Sequence, residues 1–349
     1  MDNQTVSVIT RTVDGRFDLL ERAIFSVYCN DYKQKQAVIV YQGKDPGYVR
    51  ELNGFKELYP GISFKVVQNP SNEDERARNL NLGMANADGR YICFLDDDDV
   101  IYPNHLSKLI ERIRDTGKAW AYSQSCIDME EDRYIIKKEY KFLHSDFSYL
   151  NLFDDNYIPI NTWMIDRDKV RDKSILTFKE DLKKLEDYGF LLKFAFHYEP
   201  AVCKEITSIY KIRTDGSNTT TYGMDENHPE YDKKDNEWKD ARKAVQAIRD
   251  NLIDSHYWFR EFLNINLEPI IKKSPRKLVN LKAKVGNKRL SISIEKVSNN
   301  KKKKNLRSLI SLYLFKKTGL NQIEIFFRKK LRDPLLKDNK IMVMKQDLK

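Results

Sequence analysis

Apolar and polar positions in the first 125 residues alternate between two periods. Residues 6–10 form a short apolar-rich run of strand length. Residues 18–28 follow with Leu19, Leu20, Ala23, Ile24 and Val27 at the three- and four-residue spacing of a helical stripe. Residues 37–41 read as a second strand, 48–59 as a helix broken by Pro60-Gly61, and 62–67 as a third strand. Residues 74–87 predict a helix with Ala77, Leu80, Met84 and Ala87 on one face, ended by Gly89. Residues 91–95 are then continuously apolar, as expected of a strand buried on both faces. Residues 103–116 predict a helix with Leu106, Leu109, Ile110 and Ile113 inward, Gly117 stops it, and 119–123 return as a strand. Strands alternating with helices predict an α/β fold with a doubly wound, mostly parallel sheet.

The pattern then changes. Residues 133–141 and 161–166 read as short strands of an antiparallel or mixed region, 187–196 as a short apolar helix and 205–213 as a strand. Residues 223–234 are polar and loop-like and mark a boundary, so the expected division is a sheet domain over 1–222 and a basic, mainly helical extension over 223–349. Within the extension a long helix is expected over 236–263, with Trp238, Ala241, Val245, Ile248 and Leu252 on one stripe. A hairpin around Gly286-Asn287 and one or two amphipathic helices over 306–331 complete it.

Charge sharpens this division. The 349 residues carry a net charge of +10, but residues 271–349 hold 24 Lys and Arg against 5 Asp and Glu, a net of +19, which leaves −9 on the rest. A basic tail on an acidic body points to a polyanionic surface as partner. Basic residues interleaved with Leu309, Leu312, Phe315, Ile323, Phe326 and Phe327 suit an interfacial helix on an anionic membrane leaflet. A helical cap packed on the sheet domain is the alternative, and nucleic acid is disfavoured because no recognition motif accompanies the charge. Residues 1–5 are polar and charged, no apolar stretch reaches the ~20 residues of a span, and Cys29, Cys93, Cys126 and Cys203 lack metal-ligand spacing. Together these predict a cytoplasmic protein with reduced thiols, peripheral on the inner face of the cell membrane if the tail binds lipid.

The chemistry concentrates where the central strand ends. Residues 91–95 run directly into Asp96, Asp97, Asp98 and Asp99. In open α/β sheets ligands bind at the carboxyl ends of strands. If strand geometry persists, Asp96 and Asp98 share a face, a natural seat for a hard divalent cation. A solvated acidic turn is the competing reading, and for Asp97 and Asp99 it is the favoured one. A second acidic pair, Glu186-Asp187, opens the apolar helix at 187–196; a helix N-cap is the structural alternative for Asp187.

Taken in order, Val-Ser-Val-Ile-Thr-Arg-Thr (6–12), Leu-Glu-Arg-Ala-Ile-Phe-Ser-Val (20–27), Ala-Arg-Asn-Leu-Asn-Leu-Gly (77–83), Gly-Arg-Tyr-Ile-Cys-Phe-Leu-Asp-Asp-Asp-Asp (89–99) and Leu-Glu-Asp-Tyr (185–188) resemble the family 2 glycosyltransferases of GT-A fold, over about residues 6–220. The resemblance implies inverting transfer of a sugar from a nucleoside diphosphate donor to an acceptor hydroxyl, in bacterial surface polysaccharide synthesis, with a glycan or lipid-linked glycan as acceptor. It maps the D-x-D motif onto Asp96-Asp97-Asp98, with Asp96 on the donor ribose and Asp98 on Mn²⁺ or Mg²⁺. It makes Asp187 the general base, with Glu186 holding the acceptor or orienting the helix. Thr10, Arg11 and Thr12 fall where relatives line the nucleoside pocket. Arg76 and Arg78 lie on the donor side, one expected on the nucleotide and the other in solvent, and Gly216-Ser217-Asn218 resembles the loop that closes over the donor.

The chain departs from this pattern twice. Tyr41-Gln42 stand before Gly43 where relatives carry an acidic pair that reads the nucleotide base. Gln42 can hydrogen-bond a base edge and Tyr41 can stack on one. Arg213 stands where many relatives have His, and its fork of donors suits a diphosphate. Two other readings remain open at this point: a sugar nucleotidyltransferase, although only Gly15 stands where its phosphate loop belongs, and a non-catalytic nucleotide-sugar or glycan-binding relative.

Overall fold

In a computed structural model the described residues are 4–131, 134–142, 146–213 and 231–254, with three further strands at 279–285, 288–295 and 340–344. The chain divides into two compact units, residues 1–248 and 249–349.

The first unit is built on one nine-stranded sheet. Its first half follows the alternation in the sequence: β1 (Val6–Val13), α1 (Phe17–Tyr28), β2 (Lys35–Gln42), α2 (Pro46–Leu58), β3 (Ser63–Asn69), α3 (Arg76–Asn86) and β4 (Tyr91–Phe94). β2 pairs in parallel with β1 and β3, and β1 with β4. Apolar side chains sort by face. Leu20, Ile24 and Val27 of α1 and Leu52 and Phe55 of α2 share a buried core with Val6, Val8 and Ile39. α3 lies over β1 and β2, so close that a Cβ at Gly83 would stand 2.3 Å from Ile9 Cγ2.

The second half is mixed, as the change of pattern implies. It comprises β5 (Val100–Ile101), α4 (His105–Thr116), β6 (Trp120–Glu131), β7 (Tyr134–Phe142), α5 (Tyr149–Asp154), β8 (Trp163–Asp166), α6 (Glu186–His197) and β9 (Ala201–Arg213). The sheet order is β3-β2-β1-β4-β8-β6-β9-β5, with β7 on β6. β8 runs antiparallel between β4 and β6, whereas β6 and β9 are parallel. β5 and α5 are too short to register as periodic segments, and the sequence reading passes over both.

α6 is held by rings. Phe190 stacks on Phe178 at 4.4 Å and on Trp163 of β8 at 5.5 Å, and Phe94 of β4 meets Trp163 at 4.8 Å. Offset aromatic contacts of this kind add to the area buried. The stack fixes the start of α6 beside the carboxyl end of β4. After β9, α7 (Tyr231–Asp254) carries the expected stripe, with Ala241, Val245 and Ile248 buried. Its first turn takes in residues 231–234, which the sequence assigns to a loop. Lys184 Nζ pairs with Glu237 at 3.0 Å, and a Cβ at Gly189 of α6 would meet Ile248 Cδ1 at 3.1 Å.

The second unit contains the hairpin expected around Gly286-Asn287, as β10 (Val279–Val285) and β11 (Lys288–Glu295), with β12 (Lys340–Met344) antiparallel on β11. Beyond the expected hairpin, β12 adds a third strand that the sequence reading does not assign. The helices expected over 306–331, the end of the helix expected to 263, and Gly216-Ser217-Asn218 lie outside the described residues.

Truncating the ring at the centre of the stack tests how α6 is seated. Phe190→Ala removes a fully buried side chain and is expected to lower unfolding free energy by about 3–5 kcal/mol, measured by chemical denaturation.

Candidate active site

The carboxyl ends of β1, β2, β4 and β9 open onto a cleft of about 390 Å³. Arg11, Thr12 and Arg16 line it from the end of β1 and the turn beyond, Gln42 from β2, and Asn72, Asp74, Arg76 and Asn79 from the approach to α3 and its first turn. Asp96, Asp97 and Asp98 form the floor, and Tyr210, Lys211 and Arg213 close the other side.

The strand does not continue into the aspartates. β4 ends at Phe94 and the chain turns, with Asp99 N–H donating to the Asp96 carbonyl at 3.1 Å. Asp96 and Asp98 therefore share the cleft through a turn and not through strand alternation. The solvated reading of Asp97 and Asp99 is overturned, since both are buried. Asp97 takes a two-pronged contact from Arg16, Nε at 2.8 Å and Nη2 at 2.6 Å, and the Thr12 hydroxyl at 2.8 Å. Asp99 turns inward and accepts the Asn161 amide and the Lys211 backbone N–H, each at 2.8 Å. Burial, then the charges of Asp98 and Asp96, push its carboxyl well above the usual range. A buried carboxylate survives only with such donors.

Asp98 differs from both. Its Oδ2 accepts from Arg16 Nη2 at 2.9 Å and Arg213 Nη1 at 3.0 Å. Burial opposes its ionisation, but the two guanidinium groups outweigh that and hold its carboxyl below the usual range. Its Oδ1 has no hydrogen-bond partner among the described residues. The chemistry fits a hard divalent cation that keeps most of its shell from water and phosphate: an ionised carboxylate facing a basic cleft. Among the described residues no set of three His, Cys, Asp or Glu side chains is arranged to hold a metal.

Across the cleft, Arg11 joins the two acidic motifs. Its Nε donates to Asp96 Oδ1 at 3.0 Å and its Nη1 to Glu186 Oε1. Glu186 is the first residue of α6 and is buried. Asp187, in the same first turn, is partly exposed and accepts from Asn156 Nδ2 at 3.2 Å. The N-cap alternative for Asp187 fails: the cap position is Leu185, in the left-handed region at φ 59°, with no side-chain cap. Burial, then the Glu186 charge, raise the Asp187 carboxyl to about 7.

Two further expectations are corrected. Tyr41 cannot stack on a base, because it is fully buried. It packs on Tyr48 at 4.8 Å, its hydroxyl donates to Asp14 and accepts from Asp45 N–H at 3.0 Å, and it fills the space where Gly43 lacks a side chain. Thr10 is buried one residue short of the cleft. Gln42 does line the cleft, with its amide fixed at both ends: Nε2 donates to the Glu73 carbonyl and Oε1 accepts from Asn79 Nδ2 at 2.6 Å. Arg76 lines the cleft and Arg78 pairs with Glu75 on the exposed face, the division expected of the two. Arg16, Asn161 and Lys211 are absent from the sequence reading. Arg16 had one signal, a cation in the turn beside Gly15; Asn161 and Lys211 act through contacts 62 and 112 residues away.

A parallel sheet ending on this acidic cleft, with a mixed second half bearing α6, is the GT-A architecture. Residues 7–170 match the glycosyl transferase family 2 model, so this segment is similar to that family. Two uncharacterized glycosyltransferases of Haemophilus influenzae are similar to the chain. One is 26% identical over 195 residues, 53% of this chain and 58% of that protein; the other is 24% identical over 174 residues, 50% and 65%. The chain thus spans less than two thirds of either relative. Among solved structures, S. aureus TarS 1–349 matches with a TM-score of 0.50 and 14% identity over 81% of this chain and 97% of that one.

The raised Asp187 carboxyl predicts a pH-dependent penalty. The folded protein holds this proton to about pH 7, whereas an unfolded aspartate releases it near pH 4. The contribution is therefore favourable below that lower value and is lost as pH rises to about 7. Asp187→Asn is expected to melt a few degrees above wild type at pH 8 and level with it at pH 4, by calorimetry.

Proposed function

We infer that this chain is an inverting glycosyltransferase that moves a sugar from a nucleoside diphosphate donor to an acceptor hydroxyl. The observation carrying this reading is the meeting of two acidic motifs on one side chain: Asp96 at the end of β4 and Glu186 at the start of α6 both accept from Arg11, with Asp98 lining the cleft and Asp187 next to Glu186 on α6.

Each group has a task its surroundings favour. Gln42, held by Asn79 and the Glu73 carbonyl, presents a fixed amide at the nucleoside end, and Asp96 is placed for the ribose. Arg16 and Arg213 offer guanidinium forks to the diphosphate. Asp98 would hold Mn²⁺ or Mg²⁺, which supplies charge neutralisation to the departing diphosphate. Asp187 takes the acceptor O–H proton as the oxygen attacks the anomeric carbon. The bond to the diphosphate breaks with its electron pair leaving on phosphate. A carboxyl near 7 suits a general base working at neutral pH.

The acceptor is inferred to be a glycan or lipid-linked glycan of a surface polysaccharide pathway, with the basic tail resting on an anionic leaflet. Among the described residues no helix is long and apolar enough to cross a membrane. The charge of residues 271–349 supports the peripheral reading.

Asp187→Asn is expected to leave affinity for UDP or GDP nearly unchanged and to lower transfer by about 10²- to 10⁴-fold, equivalent to roughly 3–5 kcal/mol of barrier. Turnover of wild type should fall as pH drops through about 7. A rate for the variant within about threefold of wild type rejects Asp187 as the base. Asp98→Asn should abolish the dependence of nucleoside diphosphate binding on Mn²⁺ in calorimetry; retained enhancement places the cation elsewhere. Co-sedimentation with anionic vesicles should weaken with salt and on replacing Lys301, Lys302, Lys303 and Lys304 by Gln, at about 1 kcal/mol for each residue near the surface. Unchanged binding in both removes the membrane role.

A further inference from the structure

Arg11 is read from the sequence as a donor contact, yet its side chain is committed elsewhere. Both observed contacts are to carboxylates on different elements, Asp96 after β4 and Glu186 at the first position of α6, and only 17% of the side chain is exposed. Glu186 is buried deeper still, at 4%. Buried carboxylates remain charged only when paired. Breaking such a pair leaves an uncompensated charge, so Arg11 fixes the position of Glu186.

A second observation falls at the same spot. Leu185, immediately before α6, is the only non-glycine residue among those described with positive φ. A side chain in the left-handed region is disfavoured and persists where its surroundings impose it. Here the chain is gripped on both sides, by Lys184 on Glu237 and by Glu186 on Arg11. The first turn of α6, which carries Asp187, is thus held against its local backbone preference.

We propose that Arg11 and Glu186 form a fixed charge pair that seats and tunes Asp187: Arg11 is a positioning residue that ties α6 to β1 and β4, and Glu186 is the neighbouring acid whose charge bears on the Asp187 carboxylate. The proposal deepens the reading of Asp187 as general base and rests on it for its catalytic meaning.

The surroundings of Asp187 set the sign. Glu186 on its own helix and Asp96 beyond β4 oppose its charge, Arg11 on β1 and the Tyr188 backbone N–H favour it, Asn156 donates to it, and Tyr210 of β9 interacts with it electrostatically. Helix N-termini ordinarily favour the ionised carboxylate. The upward shift therefore requires burial and Glu186 to win.

Glu186→Gln preserves an acceptor for Arg11 and removes the charge. In carboxyl NMR of the full chain, with the Asp187 signal identified by its loss in Asp187→Asn, Glu186→Gln is expected to lower the Asp187 titration midpoint by about one pH unit. The acid limb of UDP- or GDP-sugar turnover should move with it, while turnover at high pH falls far less than in Asp187→Asn. Arg11→Met should speed amide exchange across residues 185–189 by about tenfold or more, with Arg11→Lys intermediate. An unmoved Asp187 midpoint in Glu186→Gln overturns the tuning role. Unchanged exchange across residues 185–189 in Arg11→Met overturns the positioning role. Full transfer by Asp187→Asn refutes the catalytic reading alone, because the titration and exchange results do not depend on turnover.

Discussion

Crowding of like charge is the constraint to which this structure answers. Asp96, Asp97, Asp98 and Asp99 follow one another at a strand end, and the Glu186-Asp187 pair is joined to them through Arg11. Left to themselves such groups would protonate or force the cleft apart. The protein meets each in a different way: Arg11 spans two of them, Arg16 forks one and touches the next, Arg213 takes a share of Asp98, and Asp99 is satisfied by an amide and a backbone N–H. The guanidinium groups come from β1, the turn after it and β9, so the cleft is also a junction between sheet regions distant in sequence.

The same arrangement leaves an acidic cleft open to anionic ligands. The arginines are already present and oriented, so anionic oxygens could take over hydrogen bonds that the aspartates now accept. Asp97 and Asp99, with deeper burial and dedicated partners, hold the turn, leaving Asp96 and Asp98 to face the cleft. One unbroken run of four identical residues thus separates into two structural and two accessible members.

Much of this was legible in the chain. The alternation of periods gives the parallel half, because helices packed on a buried sheet must repeat their apolar positions. The aspartate run and Glu186-Asp187 mark the site, because charge at the edge of apolar segments is costly unless used. What periodicity could not convey was spatial assignment. Tyr41 reads as a ring beside a pocket, but whether a residue at a strand end faces a ligand or the core depends on its neighbours, here Asp14, Tyr48 and the bare backbone of Gly43. Arg16 stands in a turn that no motif distinguishes, and its value appears only once folding brings it to Asp97. Asp187 looks like a cap because caps favour aspartate; the left-handed Leu185 that takes that position is invisible to any pattern of polarity.

The ring stack beneath α6 has an optical consequence. Trp163, buried and lying nearly parallel to Phe190 with 12° between the ring planes, is part of the surface on which α6 rests. Indole emission is sensitive to the packing and polarity around the ring. A tilt of α6 would therefore register in the protein's own fluorescence, readable in stopped flow without attaching a dye.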